Sequence, residues 1–347
     1  MKTNAPAARR TALLTLLAPI SWGTTYVVVA ELLPDSQPMF VAAMRVLPAG
    51  LLLVLLGRRI STWRPQGAVW GRTALLAACN FGIFFPLLFG AVYRLPGGVA
   101  ASAGGVLPIL VVLLSWLVVG RRPAAAEVAV GVVAAVGVAL VVVRPGAGLD
   151  PVGIAMALGA NVSFAFGVVF TKRFPAPPNR LAATGWQLSM AGVVLLALAL
   201  AGGGAPERTS LANVAGFAYL SVAATAVAYV LWFDGIRKLP ASAPPLLGLA
   251  APVTGAALGW AVLGQALSPV QVLGFAITIG AIARGATVAD RPAATDATVV
   301  APVDVALAEP SISSISPVPG PTRALDHRAE PVGPVAAAPV PVSSTRS

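Results

Sequence analysis

The sequence has few charged residues, one cysteine and one histidine, and each shortage excludes a class of protein. Charged residues form 10% of its 347 residues, hydrophobic residues form 57%, and the mean hydropathy is +0.86. Soluble domains do not need so large an apolar fraction to build a core. The single cysteine, Cys79, excludes an intrachain disulfide and a cysteine-based metal site. We therefore expect lipid to be the solvent for most of the chain.

Acidic residues are also scarce, and their positions argue against catalysis. In the long apolar segments they occur only near the ends, at Glu31, Glu127 and Asp234. A membrane enzyme needs a nucleophile with a base, a metal cluster or a phosphate clamp. An ATP-driven pump needs a glycine-rich loop that ends in Gly-Lys-Ser or Gly-Lys-Thr, which the sequence lacks. The sequence therefore predicts no enzyme, no primary pump, no metal and no cofactor. Proton coupling would need Asp234 or Glu31, and facilitated diffusion or exchange is equally open.

What the sequence has in abundance is long apolar windows. A membrane-spanning helix needs about 20 predominantly apolar residues, and ten windows of about that length are separated by charged residues, Pro and Gly. The predicted spans are 11–31, 38–57, 72–93, 97–119, 125–143, 151–171, 181–201, 213–236, 241–263 and 269–286. The first window is longer than the core of a signal peptide, so we take it as a span. The predicted fold class is an all-α polytopic membrane protein with ten transmembrane helices.

The basic residues of the connecting segments predict the orientation in the membrane. Two to four Lys and Arg residues stand at each of six places, which are 2–10, 58–72, 121–122, 172–180, 237–238 and 284–291. The loops between them carry at most one basic residue each. Cytoplasmic loops are enriched in Lys and Arg, so both termini are predicted to be cytoplasmic, in a bacterial cell membrane. The net charge of +11 is spread over these loops rather than over an aromatic-rich patch, so no nucleic-acid partner is predicted.

A shift of 144 residues aligns the second half of the sequence with the first. Between 95–120 and 239–264, eight of 26 residues are identical, including Pro108 with Pro252 and Trp116 with Trp260. Each half holds five spans, an odd number, so the second half enters the membrane from the opposite side. Such inverted repeats place two oppositely facing gates around a central cavity, which is the basis of alternating access in many secondary transporters.

The predicted domain organisation follows from this repeat. Residues 1–10 form a cytoplasmic N-terminus, residues 11–143 the first five-helix repeat, and residues 151–286 the second. Residues 289–347 have no aromatic residue and are rich in Pro, Ala, Val and Ser, so too little apolar surface is left to offset the entropy of ordering. We expect this last segment to be a disordered cytoplasmic tail.

Several short motifs carry a resemblance to a known family. They are Ser21-Trp22-Gly23-Thr24 in the first span, Pro38-x-Phe40 with Arg45 in the second, and Pro108, Pro252, Gly120 and Gly264 in the fourth and ninth. Together, from residue 11 to about 286, the sequence resembles the EamA-like branch of the drug/metabolite transporter superfamily. The family commonly has a glutamate after the two glycines, where this chain has Arg121 and Gln265, so the role of that glutamate does not carry over. The resemblance implies helices around a central cavity and ATP-independent transport, often export of amino acids or other metabolites.

Arg45 is the first candidate for contact with a substrate. It lies seven residues into span two, roughly 10 Å below the outer interface, where an unpaired charge costs on the order of 3 kcal/mol. It should therefore face protein or water. Two hypotheses stay open, namely that it binds a substrate carboxylate or that it makes a structural hydrogen bond between helices.

Amides and aromatic residues supply the other candidates. Asn80 and Gln187 lie where lipid offers no hydrogen-bond partner, so they either join helices or line a wet cavity. Gln187 adjoins Trp186, and an aromatic ring beside an amide can orient a small zwitterion. Trp22, Tyr26 and Tyr229 occupy repeat-related positions in spans that line the cavity of the resembled family, although plain packing would also explain them.

The sequence therefore predicts a secondary transporter that exports or exchanges amino acids or similar small metabolites by alternating access. Its partners are a small-molecule substrate and membrane lipid. One alternative is an efflux permease for lipophilic drug-like compounds, and an alternative of a different class is a membrane scaffold that transports nothing. The substrate, direction, coupling ion and oligomeric state are left open by the sequence.

Overall fold

The computed structural model describes residues 5–33, 37–95, 103–120, 122–142, 150–203, 209–263 and 268–289. Within these ranges the chain is helical and contains no strand. The predicted tail lies outside the described residues except for residue 289, and so do Arg121 and Gln265. The predicted repeat boundaries and the disorder of the tail stay predictions.

Thirteen α-helices follow one another along the described chain. They are α1 (Ala5–Leu32), α2 (Pro38–Ile60), α3 (Ala68–Ala77), α4 (Phe84–Arg94), α5 (Leu107–Val119), α6 (Ala125–Val142), α7 (Pro151–Arg173), α8 (Arg180–Ala201), α9 (Leu211–Ser221), α10 (Ala228–Lys238), α11 (Ala243–Gly248), α12 (Ala250–Leu263) and α13 (Pro269–Ala289). Two π-helical segments, Ala78–Gly82 and Val222–Val227, connect α3 to α4 and α9 to α10.

The predicted fold class is confirmed. Among the described residues, eight helical stretches are long and apolar enough to cross a membrane, and two shorter apolar helices, Gly104–Val119 and Ala125–Val141, lie at the fourth and fifth predicted spans. The stretches at the third and eighth predicted spans, Ala68–Ala91 and Leu211–Lys238, each run through a π-helical segment. The chain is a multi-pass membrane protein.

Side chains at the helix ends fix where the helices begin. The Asp150 carboxylate accepts a hydrogen bond from the Val152 nitrogen at 3.0 Å, and Pro151 follows at the first helical position of α7, where a missing N–H costs nothing. Asp150 also accepts a hydrogen bond from Arg94 Nη1 at 3.1 Å, which ties α7 to the end of α4. This bond lowers the pKa of Asp150 below its ordinary value, because it stabilises the carboxylate.

Helices α2 and α8 cross antiparallel through glycines. A Cβ atom at Gly50 would lie within 3 Å of the Ser189 nitrogen, and one at Gly185 would lie 2.6 Å from the Val54 nitrogen, so the backbones touch. The two residue numbers in each pair add up to 239, as in an antiparallel pair. A shift of 144 residues places α2 on α8, so each of these helices packs on its own repeat equivalent.

Helices α6 and α13 cross in the same way. A Cβ atom at Gly137 would lie 2.8 Å from Thr278 Oγ1, and one at Gly274 would lie 2.6 Å from the Val141 nitrogen. Both pairs add up to 415, so this crossing is antiparallel too, and the 144-residue shift places α6 on α13. In both crossings a helix packs antiparallel on its own repeat equivalent, as expected of halves related by a two-fold axis in the membrane plane.

Aromatic rings fill the centre of the described bundle. The largest buried cluster includes Phe81, Phe85, Tyr229 and Trp232, each at most 2% exposed. Where the sequence predicts a cavity, these described rings pack on one another.

Candidate functional site

The two π-helical segments place unused carbonyl groups near the centre of the bundle. In a π turn the backbone N–H reaches back five residues instead of four. The Ala228 nitrogen accordingly donates to the Ala223 and Thr225 carbonyls and passes over that of Ala224. The Ile83 nitrogen donates to the Ala78 carbonyl. The Ala224 carbonyl oxygen in this segment and the Cys79 carbonyl oxygen in the other are left to side chains.

Arg45 is anchored on the second of these segments. Its Nε donates to Thr225 Oγ1 at 2.8 Å and its Nη2 donates to the Ala224 carbonyl at 3.0 Å. The guanidinium carbon lies 5.4 Å from the centre of the Phe85 ring. The residue is 5% exposed, and among the described residues it is the one charged residue that is buried. Polar acceptors and an aromatic face together offset part of the cost of burying this cation.

Two more predicted residues meet Arg45 at the same place. Trp22 Nε1 donates to the Ala224 carbonyl at 3.1 Å, so this single oxygen accepts from both the indole and the guanidinium. The Trp22 ring lies 4.9 Å from the Tyr229 ring, and Tyr229 in turn lies 4.7 Å from Phe81. We call Trp22, Arg45, Phe81, Phe85 and Tyr229 the arginine–aromatic centre.

Asn80 lies in the other π-helical segment. It is fully buried, and its Nδ2 donates to the Leu76 carbonyl of its own helix at 3.0 Å. Its Oδ1 has no hydrogen-bond partner among the described residues and faces Gly167 of α7, where a Cβ atom would lie within 3 Å of the amide. Asn80 is thus the neighbour of Phe81 rather than a direct contact of Arg45.

Trp186 and Gln187 point in different directions, although the sequence suggested that they share one cavity. Successive helical residues are turned by about 100°. The Trp186 ring packs edge-on against Trp70 with 5.1 Å between the ring centres, whereas Gln187 is 6% exposed and lines a cleft. Tyr26 lies in α1, but its side chain is outside what the structure describes.

The cleft at Gln187 opens at the end of the bundle that carries Arg58, Arg59, Lys172, Arg173 and Lys238, which we call the basic end. The basic-end cleft holds about 310 Å³ of space, including its mouth, and is lined by residues of α7, α8, α10 and the α7–α8 connection. Its lining is Thr171, Pro177, Arg180, Ala183, Thr184, Gln187, Val230, Phe233, Asp234 and Arg237. It lies beside the arginine–aromatic centre and does not contain Arg45.

Ion pairs and helix caps hold the mouth of the basic-end cleft. Asp234 forms ion pairs with Arg180 and with Lys238, the latter at 2.6 Å. Lys172 of α7 donates to the Leu239 carbonyl at the end of α10, and Arg237 of α10 donates to the Phe174 carbonyl at the end of α7. The two helices thus cap each other, since cations are stabilising at helix C-termini.

Sequence reasoning missed the acceptors of Arg45. Thr225 is a hydroxyl in an apolar stretch, a signal comparable to that of Asn80, and it could have been singled out on that ground. The Ala224 carbonyl could not, because a backbone group leaves no mark on the hydrophobic pattern.

Comparison with known proteins gives one family. Residues 9–143 and 151–284 each match the EamA-like transporter family. The chain is 37% identical over 267 residues to Protein PecM of Dickeya dadantii, covering 76% of this chain and 88% of that one. It is 31% identical over 274 residues to the uncharacterized transporter YwfM of Bacillus subtilis, covering 76% and 90%. It is 26% identical over 276 residues to the uncharacterized inner membrane transporter YedA of Escherichia coli, covering 76% and 86%.

A similarity of fold accompanies these similarities of sequence. A crystal structure of a protein superposes on this one with a TM-score of 0.66 at 22% identity, covering 81% of this chain and 96% of that chain. The family match covers nearly all of the ten predicted spans. The chain therefore belongs to the EamA-like transporter family, within the drug/metabolite transporter superfamily, and it is a membrane transporter.

Proposed function

We propose that this transporter exports or exchanges amino acids or similar small zwitterionic metabolites, by alternating access and without ATP. The observation that carries the proposal is the buried Arg45 among aromatic rings at the centre of the bundle. A guanidinium binds a carboxylate through two parallel hydrogen bonds, and the rings around it suit a small apolar side chain. The basic end is the cytoplasmic one in this proposal, and the membrane is that of a bacterial cell.

The anchoring of Arg45 fits such a role. Its contacts with Thr225 and the Ala224 carbonyl orient the guanidinium, so a substrate does not have to order it on binding. Trp22 is held by the same carbonyl. A substrate carboxylate at Arg45 would therefore lie beside an indole ring whose position is also fixed.

The closed centre is consistent with a carrier between its two open states. The rings of Trp22 and Tyr229 must separate for a solute to reach Arg45. The glycine contacts between α2 and α8 and between α6 and α13 join the two halves by backbone rather than by long side chains. Such contacts allow the halves to rock against each other as rigid bodies around a fixed site.

Efflux of lipophilic compounds is the second candidate function, and a separate observation favours it. The rings of Phe164 and Trp232 stack 6.1 Å apart, and both contact Trp22, which extends the aromatic surface well beyond what an amino acid needs. A flat lipophilic cation would find more contact area there than a zwitterion.

Counterflow in liposomes tests the proposal. Liposomes that hold the purified protein are loaded with unlabelled L-alanine or L-leucine, and uptake of the labelled amino acid is measured against uptake of labelled tetraphenylphosphonium. The variants are Arg45→Met and Arg45→Lys, and the control is Arg94→Met, which removes an arginine whose side chain is 51% exposed. We expect Arg45→Met to lower amino-acid flux by about tenfold or more, because a buried charge pair is lost. The flux of Arg45→Lys should lie between that of the unaltered protein and that of Arg45→Met, since an ammonium group lacks the planar fork of a guanidinium.

The outcomes separate the alternatives. Saturable amino-acid flux that Arg45→Met abolishes and Arg94→Met leaves intact supports metabolite transport at Arg45. Flux of tetraphenylphosphonium that is indifferent to Arg45, without amino-acid flux, would overturn the proposal in favour of lipophilic efflux. Absence of flux of both probes from monodisperse protein would overturn both candidate functions.

A further inference from the structure

The basic-end cleft contains buried polar atoms that no group of the described chain satisfies. Gln187 is 6% exposed and Thr171 is 2% exposed, yet Gln187 Oε1 and Thr171 Oγ1 have no hydrogen-bond partner among the described residues. Both residues line the cleft. A buried acceptor without a donor costs about 1–3 kcal/mol, so two of them in one cleft indicate that a molecule with N–H or O–H groups belongs there.

The charges of the cleft favour a ligand that also carries an anionic group. Two arginines, Arg180 and Arg237, and one acid, Asp234, line it, which leaves a formal charge of +1. Arg180 is paired with Asp234. Arg237 donates to the Phe174 carbonyl through Nη1, and a guanidinium has five N–H donors in all.

The remaining wall of the cleft is apolar and leads toward the centre of the bundle. Val230 and Phe233 line it, and the Phe233 ring lies 5.7 Å from Tyr229 of the arginine–aromatic centre. The space of about 310 Å³ includes the open mouth of the cleft, and its enclosed part has room for a group about the size of a water molecule, which an ammonium group matches. A solute in the cleft would therefore be small, and it would be separated from Trp22 and Arg45 by the Phe233 and Tyr229 rings.

We propose that the basic-end cleft is a second binding site for a small zwitterion, on the route between the basic end and the arginine–aromatic centre. The ammonium group of the solute donates to Gln187 Oε1 and Thr171 Oγ1, and its carboxylate accepts from Arg237. The apolar part of the solute packs on Val230 and Phe233. The choice of a zwitterion as the ligand rests on the proposed function, but binding of the solute in the cleft does not require that transport follows.

A thiol-protection experiment tests the site without any need for flux. The only cysteine of the chain, Cys79, is replaced by Ala, and Val230→Cys places a reporter thiol on the cleft wall. The rate of labelling by a small membrane-impermeant methanethiosulfonate is measured on the full chain with L-alanine, ethylamine or acetate present. We expect L-alanine to slow labelling in a saturable manner. Ethylamine and acetate at the same concentration should not, since each offers half of the contacts.

Two further variants test whether Gln187 contacts the solute. Gln187→Leu in the reporter background should raise the half-protecting concentration of L-alanine by about tenfold or more, because a hydrogen bond to a charged group is lost. The matched control is Asn161→Leu, which removes another buried amide that lies outside the cleft lining and bonds to the Ala157 carbonyl of its own helix. It should leave the half-protecting concentration unchanged. Equal labelling rates of the two variants without solute show that the cleft is intact.

Three results would overturn the site: no protection by L-alanine, equal protection by ethylamine, or protection that Gln187→Leu leaves unchanged. The failure of the proposed function is distinguishable from these. Protection without amino-acid flux would contradict the transport proposal and support the binding site in the cleft. Amino-acid flux without protection would support the transport proposal and contradict the binding site.

Discussion

In both the third and the eighth span a π turn leaves one carbonyl to a side chain, but the two donors differ in charge. The Cys79 carbonyl accepts from the Ser163 hydroxyl at 2.8 Å. The Ala224 carbonyl accepts from Trp22 and from the guanidinium of Arg45. A shift of 144 residues places Ala78 on Val222, the first residues of the two segments, and it places Arg45 on Ser189. The backbone distortion is thus shared by the two halves, while the cation is present in one of them.

This comparison teaches that shape and chemistry diverged separately. A π turn is an insertion into the hydrogen-bond ladder, and it frees a backbone carbonyl. Once both halves carry it, a single substitution at the position of Arg45 or Ser189 decides whether the site holds a charge. The following predictions break or sharpen the comparison between the two halves.

The largest effect is expected from removing the cation that distinguishes the halves. Arg45→Met should lower the free energy of unfolding by about 3 kcal/mol or more, because two buried hydrogen bonds to a charged group are lost. Ser189→Ala, at the repeat-related position, should not lower it, since Ser189 Oγ has no partner among the described residues and the variant removes a buried polar atom without breaking a hydrogen bond. Unfolding in mild detergent measures both. Equal losses would show that the halves are chemically equivalent after all.

A smaller effect, equal in the two halves, is expected where they touch. Gly50→Ala and Gly185→Ala should each cost about 2 kcal/mol, because the new methyl group would meet the backbone of the facing helix. The control is Gly71→Ala, where a Cβ atom would meet nothing within 4 Å and where alanine is the better helix former. Thermal unfolding of the three variants measures these costs. Costs no larger than that of Gly71→Ala would contradict the close backbone contact between α2 and α8.

The uncharged side chains that donate to the two freed carbonyls should contribute about equally to the stability of the protein. Ser163→Ala and Trp22→Phe each remove one neutral donor from a freed carbonyl, and each should cost about 1 kcal/mol. Only Trp22→Phe should also reduce amino-acid counterflow, because Trp22 shares the Ala224 carbonyl with Arg45, whereas Ser163 donates to the Cys79 carbonyl. Reduced flux in Ser163→Ala with normal stability would place the substrate at the other segment.

The smallest effect is expected at the surface, where it serves as a baseline. The pKa of Asp150 is lowered by its hydrogen bond with Arg94, so this pair stabilises the protein above the ordinary pKa and loses its contribution as the pH falls through the lowered value. Arg94→Met should therefore lower the unfolding temperature slightly at neutral pH and progressively less as the pH falls below the ordinary pKa of a carboxyl group. High salt should remove the difference. If Arg94→Met lost as much stability as Arg45→Met, the depth of an arginine in the membrane would not determine how much its hydrogen bonds contribute to stability.

Much of the fold could be predicted because it depends on properties that each segment carries by itself. The predicted span 181–201 corresponds to α8, Arg180–Ala201, and the predicted span 38–57 to α2, Pro38–Ile60. A run of apolar residues that ends at charged or helix-breaking residues has only one stable form in lipid. The third span, 72–93, was predicted as one helix, whereas the structure divides it at Ala78–Gly82. An extra residue in a helical turn does not alter the apolar pattern, so this division was invisible.

The candidate site could be predicted in part for the same reason. Arg45 stands out as a charge in an apolar window, and Trp22 and Tyr229 stand out through the 144-residue repeat. The convergence of Arg45 and Trp22 on the Ala224 carbonyl could not be predicted in this way. Gln187 and Trp186 were paired because they are neighbours in the sequence, but neighbours on a helix face different surroundings.

The sequence by itself determined that the chain is an all-α membrane protein of the EamA-like family, because apolar length, motif and repeat can be read without knowing any contact. Only the tertiary structure decided what Arg45 binds. Its acceptors lie on a helix 180 residues away along the chain, and one of them is free only because a π turn shifts the backbone hydrogen bonds by one residue. A contact of that kind depends on the packing of two helices and on the hydrogen-bond register within one of them, and neither is a property of a single segment.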